Sequence, residues 1–258
     1  MAHPLSDNRM TISHPRKGAR TVASIDPDML SALEAGDIET ANLTEGLAIR
    51  MDRLMAAIAP DVRRDAIDLS VGVVHRMAQA GAALRTSGQT ASLARHGSDT
   101  VRGWAAFAIG QDHDVPPMDR LGAIKPFAAD PHFGVREWAW MAVRAIIVAD
   151  PLSSIERLAP WTASVDANVR RFASEATRPR GVWAASIPLL RKEPAHALPI
   201  LQALRHDATR YVEDSVANWL NDAGKDRPDW VNALLAEWQS EGVAPRLITR
   251  AGRSLPQL

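Results

Sequence analysis

A valine recurs along the second half of the chain inside one short pattern. SDTVRGWAAFAIG, DPHFGVREWAWMAVR, DANVRRFASEATR and DATRYVEDSVANWLND align on Val101, Val135, Val169 and Val212, at intervals of 34, 34 and 43 residues. Arg follows the valine three times (Arg102, Arg136, Arg170) and Glu213 stands there the fourth time. Four and seven positions on come Ala105 and Ala108, Ala139 and Ala142, Ala173 and Ala176, then Val216 and Trp219. On a helix those positions share one face, and small side chains there let a neighbouring helix approach closely. Asp99, Asp130, Asp166 and Asp207 lie a few residues before the four valines and are placed to cap their helices. Further helical patterns lie between the blocks, at 118–128, 152–158 and 195–204. Paired helices at this period predict an all-α fold, a right-handed α-solenoid of HEAT-like repeats. Such a stack is C-shaped, and the second helix of each pair lines its concave binding face.

Upstream the pattern is helical but less regular. Residues 1–22 lack periodicity and read as a flexible basic arm, with Arg9, Arg16, Lys17 and Arg20 against Asp7. Asp26-Pro27 reads as an N-cap and first helical residue, opening a helix through Leu33 and Ala35. Leu47, Met51, Leu54, Met55 and Ile58 keep helical spacing across 43–58, and 61–81 and 87–95 continue in the same style. Nothing reads as a strand. The expected division is therefore an arm (1–22) and one domain (23–258), with cap helices at 23–95 and the functional repeats at 96–258.

Composition removes several kinds of chemistry. There is no Cys, hence no disulfide, thiolate metal site or cysteine nucleophile. The eight His form no HxxxH or HxH pair, and no P-loop, GxGxxG or GxSxG occurs, so neither a metal nor a nucleotide cofactor is expected. No apolar run is long enough to span a membrane and no signal peptide is evident; the expected location is the cytoplasm. Formal net charge is +0, but residues 26–70 carry ten acids against four Arg while 71–258 have a slight cationic excess. That balance argues against indiscriminate coating of nucleic acid, not against a local basic face.

Residues that break the repeat carry the functional question. Glu137, Glu175 and Asp222 lie on Val-aligned helices where packing does not call for a carboxylate, and such a group is costly unless solvated, paired or used. Simple ion pairs with Arg136, Arg171 or Arg178 are the plain alternative. Eight aromatics are Trp, against four Phe and one Tyr. Trp138 repeats the positions of Trp104 and Phe172 and reads as core, whereas Trp140 and Trp183 have no repeat partner and suit a ligand surface. Arg170, Arg171, Arg178 and Arg180 crowd around Glu175, and Pro179 and Gly181 end the helix beside them, an arrangement fitted to phosphate.

VREWAWMAVR, VRRFASEATRPRGVW and YVEDSVANWLND, followed by LITRAGRSLPQL, resemble in order and spacing the AlkC/AlkD superfamily of HEAT-like-repeat DNA glycosylases, nearest its AlkC branch. The similarity covers about residues 96–258 and is weak before residue 90; the chain looks like a short form without the branch's C-terminal immunoglobulin-like domain. The resemblance implies a monomer that cradles alkylated double-stranded DNA and hydrolyses the N-glycosidic bond of cationic alkylpurines such as 3-methyladenine. It would do so without deep base flipping, metal or cofactor. It implies Glu137, Glu175 and Asp222 as active-site carboxylates and Trp140 and Trp183 as walls against the deoxyribose. Arg136, Arg170, Arg171, Arg178, Arg180 and Asn218 would hold the DNA. Residue chemistry agrees: an alkylated purine already carries positive charge and leaves without a general acid. What remains is an oxocarbenium-like sugar, which carboxylates and Trp faces stabilise. Asp222 or Glu175 is the favoured water-activating group, with Glu137 beside them. Acids pointing apart, or each locked in a separate buried ion pair, would count against this reading. The competing reading is a non-catalytic HEAT-like paralogue that binds DNA structures or a protein partner.

Overall fold

The computed structural model describes residues 16–62, 66–181 and 183–255; residues 1–15, most of the expected arm, lie outside it. All regular structure among these residues is helical. The cap region holds α1 (Pro27–Ala35), α2 (Leu43–Ala48), α3 (Met51–Ile58), α4 (Val73–Thr86) and α5 (Thr90–Leu93). The repeats follow as α6 (Asp99–Gly110), α7 (Pro117–Ala123), α8 (Lys125–Ala128), α9 (Phe133–Ala142), α10 (Arg144–Ala149), α11 (Pro151–Leu158) and α12 (Ala167–Ala176). The chain continues through α13 (Pro188–Lys192), α14 (Leu198–Leu204), α15 (Arg210–Gly224), α16 (Pro228–Ser240) and α17 (Pro245–Gly252). The four Val-aligned helices α6, α9, α12 and α15 pack in succession, with α4 before them and α17 after, as one continuous layer of a HEAT-like stack.

The small residues of the repeat sit at those crossings. Ala105, Ala139, Ala173 and Val216 are fully buried, as are Ala176 and Trp219. Two glycines tighten the layer further: a Cβ on Gly81 of α4 would lie 2.6 Å from the Phe107 Cβ, and one on Gly110 of α6 would lie 2.2 Å from the Ala142 carbonyl oxygen. Backbones that close leave no room for a methyl group.

The repeated Arg has a structural task. Arg102 donates to the carbonyls of His96 and Gly97, Arg136 to those of Asp130 and Pro131, and Arg170 to those of Ser164 and Val165. Each thus closes the turn that leads into its own helix. Arg102 and Arg170 also fork onto the aspartate that precedes a later repeat, Asp130 at 2.8 Å and Asp207 at 2.6 Å. Those aspartates are therefore not the expected N-caps. Only Asp166 caps its helix; His132 caps α9, Thr209 precedes α15 without a side-chain cap bond, and Asp130 and Asp207 accept from the backbone two residues on. Asp99 instead accepts from the Thr40 N–H and hydroxyl, which joins the cap region to the first repeat.

Other expectations need correction where tertiary bonds or prolines override periodicity. The helix expected over 43–58 breaks at Ile49–Arg50, because the Arg50 N–H is taken by Glu34. Residues 67–72 are not helical: Asp68 accepts from the backbone and hydroxyl of Ser70, a local turn that competes with a helix. The helix expected over 118–128 divides at Ile124, just before Pro126, and 195–204 begins as a 3-10 turn (Pro194–Ala197) before Pro199. The end of the expected flexible arm is pinned, with Arg16 in a 2.6 Å ion pair to Glu45 and its second arm on the Glu39 carbonyl.

Candidate active site

α9 presents Glu137, Trp138, Trp140 and Met141 to a cavity of about 280 Å³. Glu137 and Trp140 are three residues apart, hence on one face, and the indole Nε1 donates to Glu137 Oε2 at 2.8 Å. The other Glu137 oxygen receives Arg171 from α12 at 2.7 Å. Arg171 is buried and reaches Glu175, one turn on, at 3.3 Å. Glu175 receives Arg178 at 2.7 Å on its other oxygen and the Ser215 hydroxyl of α15 at 2.7 Å. Arg178 continues to Asp222 through two N–H groups at 2.9 and 2.6 Å, and Lys225 closes the series at 3.0 Å on the remaining Asp222 oxygen. The three sequence-singled acids thus belong to one connected row, Glu137–Arg171–Glu175–Arg178–Asp222–Lys225, contributed by three successive repeats.

Burial separates their roles. The side chain of Glu137 is 34% exposed, those of Glu175 and Asp222 6% and 5%. Burial by itself would raise the Glu175 carboxyl, but Arg171, Arg178 and the Ser215 hydroxyl outweigh it and hold the group below its usual range. Burial works against the charge on Arg171 and Arg178, but Glu175 and Glu137 around Arg171, and Glu175 and Asp222 around Arg178, raise both above the usual value. Glu137 and Glu175 line the cavity, and Asp222 stands behind Arg178 without lining it.

Two groups that sequence reasoning missed hold this row. Tyr211 lays its ring against the Arg171 guanidinium at 4.8 Å and the Arg136 guanidinium at 5.2 Å. Arg144 is buried and donates to the carbonyls of Ala176, Arg178 and Ala185, so it ties down both ends of the segment that bears Arg178 and Trp183. Burial, and then the nearby Arg178 charge, lower its pKa to about 10. Trp183 projects from that segment at the cavity rim, half exposed, with a positive φ of 60°. That conformation is uncommon for a bulky residue. Leu43 and Phe133 are also exposed on the rim, so three large apolar side chains frame the opening. Trp138, expected to be core alone, both packs against Phe107 and lines the cavity.

The remaining expected DNA ligands are placed unevenly. Arg170 spends all five N–H groups inside the stack, on Asp207, Thr209 and two carbonyls, so it is a clamp between repeats and not a free phosphate ligand. Arg136 holds two carbonyls and Tyr211. Arg180 shares Asp226 with Arg191, and these two arginines, Arg191 foremost, lower the Asp226 carboxyl to about 2. Asn218 accepts from Arg253 at 3.1 Å, which brings the terminal Arg-rich helix to this face. No group of three or more His, Asp or Glu suited to a metal occurs among the described residues, and none of their helices is long and apolar enough to cross a membrane.

A family described as DNA alkylation repair enzyme matches residues 135–255, the stretch that supplies the whole charged row. Over 97 residues the chain is 41% identical to the uncharacterized protein YhaZ of Bacillus subtilis; that segment is 38% of this chain and 27% of YhaZ. Alkylpurine DNA glycosylase AlkC from Pseudomonas fluorescens, bound to DNA containing an abasic site analog, superposes with a TM-score of 0.64 at 22% identity, over 92% of this chain and 65% of AlkC. AlkD2 from Streptococcus mutans superposes with a TM-score of 0.60 at 21% identity, over 73% of this chain and 93% of AlkD2. The chain therefore spans about two thirds of AlkC and about a quarter of YhaZ.

Proposed function

We propose that this chain is a DNA alkylation repair protein of the AlkC/AlkD kind and, within it, a DNA glycosylase for cationic alkylated purines in duplex DNA, a reading supported by the family match over residues 135–255. The observation that carries this reading is the row of alternating charge ending on a half-open Glu137, set beside Trp138, Trp140 and Trp183 in one cavity.

Alkylation at N3 or N7 gives the purine a positive charge. When the C1′–N bond breaks, its electron pair neutralises the base, which needs no proton to leave. The positive charge passes to the sugar as an oxocarbenium-like cation. Glu137 is the accessible acid. Arg171 and the Trp140 indole fix its carboxylate, so it faces the sugar already oriented and stabilises that cation. A water then attacks C1′ and gives a proton to Glu137, which completes a hydrolysis in which C1′–O replaces C1′–N. This moves the water-activating role from Asp222 or Glu175, which are buried within the row, to the partly exposed Glu137. Those two acids act as positioning residues that keep the arginines in register. The Trp faces supply cation–π attraction to the sugar and the lesion without a deep base pocket. We assign the phosphates to Arg180 and Arg253, which both reach solvent.

Saturation of Glu175 and Asp222 by arginine favours the second reading, a protein that binds DNA without cutting it. Release of 3-methyladenine from methylated duplex DNA separates the two. On the glycosylase reading the wild type releases base, and Glu137→Gln lowers the single-turnover rate by about a hundredfold or more with DNA affinity retained. DNA binding with no release by the wild type establishes the second reading instead.

A further inference from the structure

The far side of α9 carries a second cavity that the glycosylase chemistry does not use. It holds about 660 Å³ and lies between the C-terminal ends of α6 and α9 and the helices α7 and α10. Its floor is apolar: Phe107, Ala142 and Ile146 are buried there, and Met118 and Met141 flank them. Two charged side chains line it, the exposed Asp150 and the buried Arg120. Arg120 on α7 is 7% exposed and lines the cavity.

The position of Arg120 is unusual among the buried arginines. Arg102, Arg171 and Arg178 each meet carboxylates, and Arg144 is held by three carbonyls. Arg120 makes one hydrogen bond among the described residues, from Nη1 to the Gly110 carbonyl at 2.8 Å. Its Nε is buried without a partner, and no carboxylate of the described residues pairs with it. The side-chain oxygen of Gln111, on the same wall, is likewise buried and unpartnered. A buried guanidinium without a counter-charge costs far more than a paired one, and an unsatisfied amide beside it adds to the cost. An anion that entered the cavity would give Arg120 the counter-charge it lacks, and an N–H or O–H on the same molecule would satisfy the Gln111 oxygen.

We propose that this cavity is a binding site for a small molecule with a flat apolar body and one anionic group, carboxylate or phosphate. The anion meets Arg120, the Gln111 amide takes an adjacent polar atom, and the body packs on Phe107, Met118 and Ile146. Met141 lines both this cavity and the one that holds Glu137, so an occupant presses on the helix that carries Glu137 and Trp140.

Calorimetric titration of the full chain with naphthoate, naphthyl phosphate and neutral naphthol tests this independently of any glycosylase activity. At least one anion is expected to bind more tightly than naphthol, and comparison of the two identifies the preferred group. Arg120→Gln should weaken that anion about tenfold and leave naphthol unchanged, the loss expected for one charge-assisted contact. Ala145→Trp, at an exposed position on the cavity wall, should abolish binding of all three with the fold intact; this variant decides the matter if Arg120→Gln does not fold. Anions that bind no better than naphthol, or that keep their affinity in Ala145→Trp, overturn the proposal.

Discussion

Glu175 is buried in the charged row and paired on both of its oxygens. It joins two arginines and a hydroxyl at the centre of the row, and its folded pKa lies below the usual 4.5. A carboxyl depressed by folding stabilises the protein fully above its unfolded pKa, and that contribution is lost as pH falls from there through the folded value. Stability of the wild type should therefore be flat from neutral pH down to about pH 5 and decline below it. Glu175→Gln should cost about 3 kcal/mol at neutral pH, because two buried arginines lose their shared anion, and should flatten the acid decline. Urea unfolding at several pH values checks both; equal acid slopes in the two proteins would show that Glu175 is not held in this way. The acids, Trp140 and Trp183 were legible in sequence because they break a repeat. Which acid stays accessible was not, since that depends on Arg171 and Arg178 reaching across repeats. Arg144 and Tyr211 gave no signal: an arginine and a tyrosine at helix starts look ordinary until their partners are placed.

At the scale of the element, the periodic small residues predicted the inner layer correctly because close helix crossings demand them. Helix ends were less legible. The breaks at Ile49–Arg50 and Ile124 follow from a Glu34 bond and a proline, against a background of continuous apolar spacing. Arg170 looked like a phosphate ligand because its carbonyl acceptors and Asp207 are invisible in one dimension. The crossing of α4 and α6 offers a sharp test. Alanine in place of glycine inside a helix ordinarily stabilises by about 1 kcal/mol. At Gly81 a Cβ would meet the Phe107 Cβ at 2.6 Å and the Ala108 backbone nitrogen at 2.8 Å. Separating two packed helices outweighs the propensity gain, so Gly81→Ala should destabilise by about 1–3 kcal/mol. A Gly81→Ala protein with a higher urea midpoint than wild type would contradict this packing.

Across the whole molecule, the cap region matters for more than closing the stack. Leu43, from α2, stands on the cavity rim beside Phe133 and Trp183, although no repeat block pointed to it. Asp99, Arg102 and His132 bind the 39–40 segment and so fix where that rim sits. The cavity is therefore built from the cap region and the central repeats together, and only its repeat wall could be read in advance. The central claim is that the site meets a sugar cation and supplies no acid to the leaving base, which makes the charge on the base the determinant of turnover. Single-turnover release of 7-methylguanine and of neutral hypoxanthine from otherwise identical duplexes tests it most directly. The account predicts measurable release of 7-methylguanine, its loss in Glu137→Gln, and no release of hypoxanthine by either protein. Comparable release of the neutral base, or undiminished release of 7-methylguanine by Glu137→Gln, would contradict it.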